Sequence, residues 1–223
     1  MEQNLKIDYC SFEACKYAVK HWHYSKCLPA GKLLKYGVWE DEKFIGCIIF
    51  SRGANNHLLC PYGLKVTEGC ELTRIALSKH KNPLSKILKI AIVLLRKQNP
   101  GLKLIVSFAD EGQNHTGIIY QATNWIYTGI ALTTKDYWVN GKWRHNRYMH
   151  SMNLDRSKYK TRPAVNRFRY LYPLTKEMRS QIIKLSKPYP KSLNCVSSVT
   201  GSTSSFQDEG KVQIHSNAQK IIQ

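Results

Sequence analysis

Between residues 71 and 110 the pattern of apolar and polar positions changes period twice. Glu71-Leu-Thr-Arg74-Ile-Ala-Leu alternates with a period of two, as a half-buried strand does. Asn82-Pro83 then reads as a helix N-cap with proline in the first turn. Over residues 84–97, Leu84, Ile87, Leu88, Ala91, Leu94 and Leu95 fall on one helical face. Asn99-Pro-Gly101 stops that helix, and Leu102-Lys-Leu-Ile-Val-Ser-Phe-Ala109 reads as a buried strand with Asp110 just past its C-terminal end. In open α/β sheets the carboxyl ends of strands are where ligands bind.

The same reading extends outward. Ser11 caps a predicted helix over 12–22, and Leu34–Glu40 with Lys43–Ser51 predict a hairpin across an acidic turn. Residues 52–69 read as a loop, His115–Trp125 as a short helix, and Ile126–Thr133 as a strand. Trp138-Val-Asn-Gly-Lys-Trp143 predicts a tight hairpin, an Asn-Gly turn between aromatic flanks. Thr175 caps a last helix to about Ser186. This order predicts an α/β fold with a mixed, mostly antiparallel sheet and helices on both faces. Residues 1–191 form one domain. From Ser192 to Gln223 the chain is polar, serine-rich and aperiodic, which predicts a disordered tail.

Charge narrows the function. The 223 residues carry 34 Lys and Arg against 15 Asp and Glu, a formal net charge of +19. So large an excess opposes compaction and predicts a polyanionic partner, nucleic acid ahead of an anionic membrane surface. Residues 141–191 hold 14 basic residues and two acids, with Trp143, Tyr148, Tyr159, Phe168, Tyr170 and Tyr172 among them. Lys142, Arg144, Arg147, Arg156, Lys158, Lys160, Arg162, Arg167 and Arg169 are therefore candidate DNA contacts, phosphates for the cations and unpaired bases for the aromatic faces. No apolar run approaches a membrane span, and Met1–Lys6 lacks the apolar core of a signal peptide. Seven cysteines with no Cys-x-x-Cys pair predict reduced, buried thiols in a cytoplasmic protein.

Each candidate for chemistry has a bland counterpart. Asp110 is a base, a metal ligand or a helix cap. Tyr120 is an acid or orienting hydroxyl, or a core phenol. Arg74 clamps a carboxylate or phosphate, or is a paired structural cation; strict alternation puts Glu71 on the opposite face. Ser85 meets an anion at the helix start or caps it. His115 orients Asp110 or a phosphate, or simply begins a helix. His21, His23, Cys27, His57 and Cys60 allow a zinc reading, although their spacing matches no known finger.

Taken in order, these residues resemble the Mom family of phage DNA-modification proteins. The resemblance rests on His23-Tyr24-Ser25 with Pro29, Phe44-Ile-Gly46, the 71–85 segment, Val106–Gly129 and the segment ending Pro188-Tyr-Pro190. It covers roughly residues 20–190 and implies the fold of the GNAT N-acetyltransferases. It also implies conversion of adenine in double-stranded DNA to N6-(carbamoylmethyl)adenine, shielding phage DNA from restriction in the cytoplasm of the infected host. By this resemblance Asp110, Tyr120, Arg74 and Ser85 form the catalytic site. His23, Tyr24 and Asp110 could ligate an iron. GNAT enzymes bind acetyl-CoA pyrophosphate on glycine-rich amides at the helix start. Here Ser78–Pro83 has no glycine, which argues against acetyl-CoA, although Lys79, Lys81 and Ser85 could attract an anion. The donor is left open, as is the oligomeric state, a homodimer included. Two other functions stay open: a conventional acetyl-CoA-dependent acyltransferase, and a non-catalytic DNA-binding protein on an acyltransferase-like fold.

Overall fold

The computed structural model describes residues 4–29, 31–53, 56–131 and 135–190; the tail expected from Ser192 lies outside them. Strand β1 (Leu5–Tyr9) leads into helix α1 (Phe12–Trp22), where Ser11 Oγ accepts the Ala14 N–H at 3.1 Å. Strands β2 (Leu33–Glu40) and β3 (Lys43–Ser51) form the expected hairpin. Asp41 and Glu42 both take positive φ, so this two-residue turn has the twist that matches the flanking strands. Next come β4 (Gly69–Leu77), α2 (Leu84–Gln98), β5 (Leu104–Asp110), α3 (Ile118–Ala122) and β6 (Ile126–Ala131). The chain continues through β7 (Lys135–Val139), β8 (Lys142–His145), α4 (Asn146–Ser151), β9 (Thr161–Pro163), β10 (Arg167–Pro173) and α5 (Lys176–Ile182).

The main sheet has seven strands in the order β1-β2-β3-β4-β5-β10-β6. Only β4 and β5 pair in parallel; the other neighbours are antiparallel. The parallel pair needs a crossover, and α2 supplies it. On one face α2 buries Ile87, Leu88 and Leu95 against Ile48, Phe50 and Ile105. On the other, α1 covers Cys47, Ile49 and Ala76 with Cys15, Ala18 and Val19. Helix α5 covers Leu104, Val106 and Leu171 with Met178 and Ile182. The expected mixed, mostly antiparallel sheet with helices on both faces is thus present. A second sheet, β8-β7-β9, stands on its own small core of Tyr137, Val139 and Met149.

Several local expectations need correction. Pro83, not Asn82, stands at the N-cap of α2, because the Asn82 N–H and Nδ2 both bond the Glu40 carboxylate. The helix expected over 115–125 is confined to Ile118–Ala122, since Asn114 and Gly117 take left-handed φ. Of the six described cysteines, Cys27 and Cys60 are exposed rather than buried. Glu71 and Arg74 share a face. A bulge pairs Leu72 with Phe50 but Arg74 with Ile49, leaving Thr73 extra. Leu72 and Ile75 accordingly both meet the α2-side core, three residues apart. One inserted residue shifts the period-two pattern by one, and the guanidinium moves to the α1 side with it.

Candidate active site

The parallel pairing of β4 with β5 stops at Leu72–Ser107, although β4 continues to Leu77 and β5 to Asp110. Each strand keeps its outer partner, β3 or β10, so the sheet forks here. A fork in a sheet leaves main-chain polar groups that need partners. At its floor, Ser107 Oγ lies 2.9 Å from the Leu72 carbonyl and 2.7 Å from the Tyr120 hydroxyl. A carbonyl only accepts, so Ser107 donates to Leu72 and the Tyr120 phenol donates to Ser107. Both side chains are buried, and burial pushes the Tyr120 phenol up to about 12. It stays protonated at neutral pH and can orient or donate, not act as a base. Tyr120 packs against the rings of Trp125 and Tyr170, which fix its place.

The rim carries opposite charges on its two sides. On the β4 side, Arg74 Nε donates to the Cys27 carbonyl at 3.3 Å and Nη1 to the Thr73 carbonyl at 2.7 Å. These bonds aim the guanidinium, and among the described residues Nη2 makes no hydrogen bond, so it can meet an incoming oxygen. On the β5 side, Asp110 Oδ1 accepts the Gly112 N–H at 3.0 Å, capping a 3-10 turn over Glu111–Gln113. The capping alternative for Asp110 is therefore real; a carboxylate has a second oxygen, and the cap holds it in place. Arg167 lies opposite Asp110 in the β10 register.

The loop after α1 bridges the fork. Its Cys27 carbonyl holds Arg74, and its Tyr24 ring meets the His115 ring edge-on at 5.8 Å. Tyr24 is raised above its ordinary pKa by desolvation and by the Asp110 charge, so it too stays a phenol. His23 stacks on Tyr24 at 4.3 Å. Burial, with Arg74 and other cations nearby, lowers His23 to about 4. His23 Nδ1 meets Ser25 twice, the backbone N–H at 3.1 Å and Oγ at 2.8 Å, so Ser25 orients the neutral ring.

Burial and the Asp110 charge hold Tyr24 as a phenol. The expected ligation of iron by His23, Tyr24 and Asp110 finds no support among the described residues. Among the described residues no group of three His, Cys, Asp or Glu is placed to hold a metal ion. His57 and Cys60 of the zinc reading come within 3.8 Å of each other, but only as a pair.

Acetyl-CoA fits no better at the 78–83 loop. The Lys81 and Asn82 N–H groups, the amides that would meet a pyrophosphate, both donate to buried Glu40 at 2.7 Å. Lys81 Nζ is paired with Asp41 at 3.0 Å. The cavity on this loop, about 450 Å3, is lined by Lys43, Lys79 and Lys81 but also by Glu40 and Asp41. Ser85 forms no side-chain cap on α2. Ser85, Lys79 and Lys81 are not joined to Asp110, Tyr120 or Arg74 by any hydrogen bond among the described residues.

Three contributors were invisible in the sequence. Ser107 sits in an apolar strand and reads as filler. Ser25 acts through its backbone N–H and Oγ. Glu40 reads as half of an acidic turn, yet it fills the amides at the start of α2. The candidate DNA contacts divide between two places. Lys142, Arg144, Arg156, Lys158, Lys160 and Arg162 belong to the small-sheet module, while Arg167 and Arg169 lie on β10. Arg169 Nε is bonded to Thr128 Oγ1 at 3.0 Å, tying β10 to β6. The Arg147 side chain lies outside the described residues.

His23 gives this arrangement a pH signature. Its folded pKa lies below the ordinary 6.5, so between about pH 6.5 and 4 the unfolded chain binds more protons. Its contribution to stability is complete above that window and is lost as pH falls through it, by up to about 1.4 kcal/mol per pH unit. Urea midpoints measured from pH 7 to 4 should fall less steeply in His23→Gln than in the parent.

Comparison with known proteins places the chain. It is 27% identical over 205 residues, 85% of each chain, to the methylcarbamoylase mom of Escherichia phage Mu. Solved structures with partial similarity include an N-acetyltransferase from Staphylococcus aureus Mu50, at 12% identity and a TM-score of 0.47 over 77% of this chain and 98% of that one. Another is a spermidine/spermine N-acetyltransferase from Vibrio cholerae, at 11% identity and a TM-score of 0.45 over 79% and 96%. The family model described as the Mom protein family matches residues 4–191, nearly all of the described chain, and the protein belongs to that family.

Proposed function

We infer that this protein modifies phage DNA, converting adenine to N6-(carbamoylmethyl)adenine and so protecting that DNA from restriction. It is an enzyme of the transferase kind: it belongs to the Mom family, and its phage Mu relative is named a methylcarbamoylase. The observation that carries the reading is the fork between β4 and β5. A buried, protonated phenol lies at its floor, and an oriented guanidinium and a carboxylate lie at its rim.

The chemistry asks for such an arrangement. The exocyclic amine of adenine is a weak nucleophile because its lone pair is delocalised into the ring. In a duplex that amine is also paired and stacked. The base must leave the helix to reach an activated donor in a cleft. As the amine lone pair forms its bond to the donor carbon, the bond from that carbon to the rest of the donor breaks, the leaving group departs with that electron pair, and Asp110 takes the amine proton. Arg74 Nη2 holds an oxygen of the donor, and Tyr120 fixes the floor against which the reactants stand. Lys and Arg of the small sheet and β10 bind the duplex phosphates. The glycine-free 78–83 loop, its amides occupied by Glu40, favours a donor other than acetyl-CoA.

Mass spectrometry of nucleosides from DNA of expressing cells tests the reading. The expected result is a modified deoxyadenosine heavier by a carbamoylmethyl group. Unmodified nucleosides from cells holding intact, folded protein would overturn it.

A further inference from the structure

We propose that the outer face of the three-stranded sheet is a stacking surface for an unpaired DNA base. This deepens the reading above and rests on it. Residues opposite each other in antiparallel strands share a face. Here Trp138 lies opposite Trp143, and Asp136 lies opposite both His145 and Arg162. These five side chains therefore occupy one face. Tyr137 and Val139, one residue out of phase, turn to the other side and make the small core with Met149.

The face is built, not incidental. Trp138 and Trp143 flank the Asn140-Gly141 turn, both of whose residues take positive φ. The Trp138 N–H bonds the Lys160 carbonyl of the neighbouring segment, so the two tryptophans form the closely spaced, non-hydrogen-bonded pair of the hairpin. Their rings meet edge to face at 5.1 Å. The Arg162 guanidinium covers Trp143 at 4.5 Å and is itself held by Asp136 at 3.4 Å. Trp143 is thus covered and Trp138 is not: it is 42% exposed, on a sheet whose core does not use it. A pre-fixed indole pays little ordering entropy when a ligand stacks on it.

The surroundings choose the ligand. Lys135, Lys142, Arg156, Lys158 and Lys160 are exposed around this sheet. The acids of the module, Asp136 and Asp155, are already paired with Arg162 and Lys158. A second copy of the chain would bring the same positive charge and be repelled. A nucleic acid offers phosphates to the cations and a π-face to Trp138. Bases inside a duplex have both faces stacked, so only an unpaired or extruded base can lie on the indole.

The test compares two labelled duplexes by fluorescence anisotropy, one fully paired and one with a single unpaired adenine. The intact protein should prefer the second. Trp138→Ala should weaken its binding about 5- to 150-fold, the range for losing one base–aromatic stack, and erase the preference. Trp138→Phe, which keeps a ring, should retain most of it. Lys142→Ala with Lys160→Ala should weaken both duplexes alike and flatten the salt dependence. Because Trp138 lies outside the core, the alanine variant should keep its urea midpoint. Equal loss on both duplexes, no loss, or a change of molecular mass in light scattering would overturn the proposal. Absence of any DNA binding would overturn this proposal and the proposed function together. Adenine modification with no effect of Trp138→Ala on binding would overturn this proposal alone.

Discussion

Replacing Asp110 by Asn should lower modified adenine by about 100- to 10,000-fold, the range for losing a positioned base, and Tyr120→Phe, which removes the hydroxyl that orders the floor of the cleft, should lower it by about 10- to 100-fold. The structure says why stability should survive. Asparagine keeps the oxygen that accepts the Gly112 N–H, so the turn after β5 stays capped. Phenylalanine keeps the ring that packs between Trp125 and Tyr170. Ser107 still donates to the Leu72 carbonyl, so the lost phenol bond costs only about 1 kcal/mol. Nucleoside mass spectrometry set beside urea denaturation separates the two effects. If the deficit persists at saturating DNA, the groups serve the reaction and not binding. Near-normal modified adenine in both variants would remove them from the site, and unfolding of both would make them structural.

Gly46→Ala should destabilise the protein severely. Gly46 lies in β3 with φ of +143°, next to a bulge, and close against β4. A Cβ there would overlap the Ala76 carbonyl oxygen and come within 2.8 Å of Leu77 Cα, both backbone atoms. Backbone cannot rotate away as a side chain can, so β3 and β4 must separate at the centre of the sheet. The expected loss is roughly 4 kcal/mol or more, a large part of what a domain of this size has. Gly101→Ala is the control. A Cβ at Gly101 meets nothing within 4 Å, and its φ is not in the left-handed region. Its urea midpoint should stay within about 0.5 kcal/mol of the parent, and equal midpoints for the two variants would show that the strand contact is not tight.

How legible the site was depended on whether each residue acts through local pattern or through a distant neighbour. Helix α2 was readable because its buried positions recur every three or four residues and its stop signals are adjacent. The Asn140-Gly141 hairpin was readable because turn chemistry is local. Strand β10 was not, because arginines interrupt Arg167-Phe-Arg-Tyr-Leu and nothing nearby shows that it inserts between β5 and β6. The resemblance pointed to Asp110, Tyr120 and Arg74, but not to what holds them. The bulge at Thr73 exists only because β3 and β4 pair with one residue extra, and it reverses the face on which Arg74 was expected.

The sequence by itself determined the elements whose signals lie within a few residues: the periodic helices, the capped starts, the tight turns and the excess of positive charge. Only the tertiary structure decided where β4 and β5 part. It also seated Tyr120 on Ser107, and Glu40 on the amides of a loop forty residues away. The physical reason is one of range. Helix period, caps and turns are satisfied by neighbours in the chain. A buried hydroxyl or carboxylate must find its partner wherever the fold brings one, and no local pattern encodes that meeting.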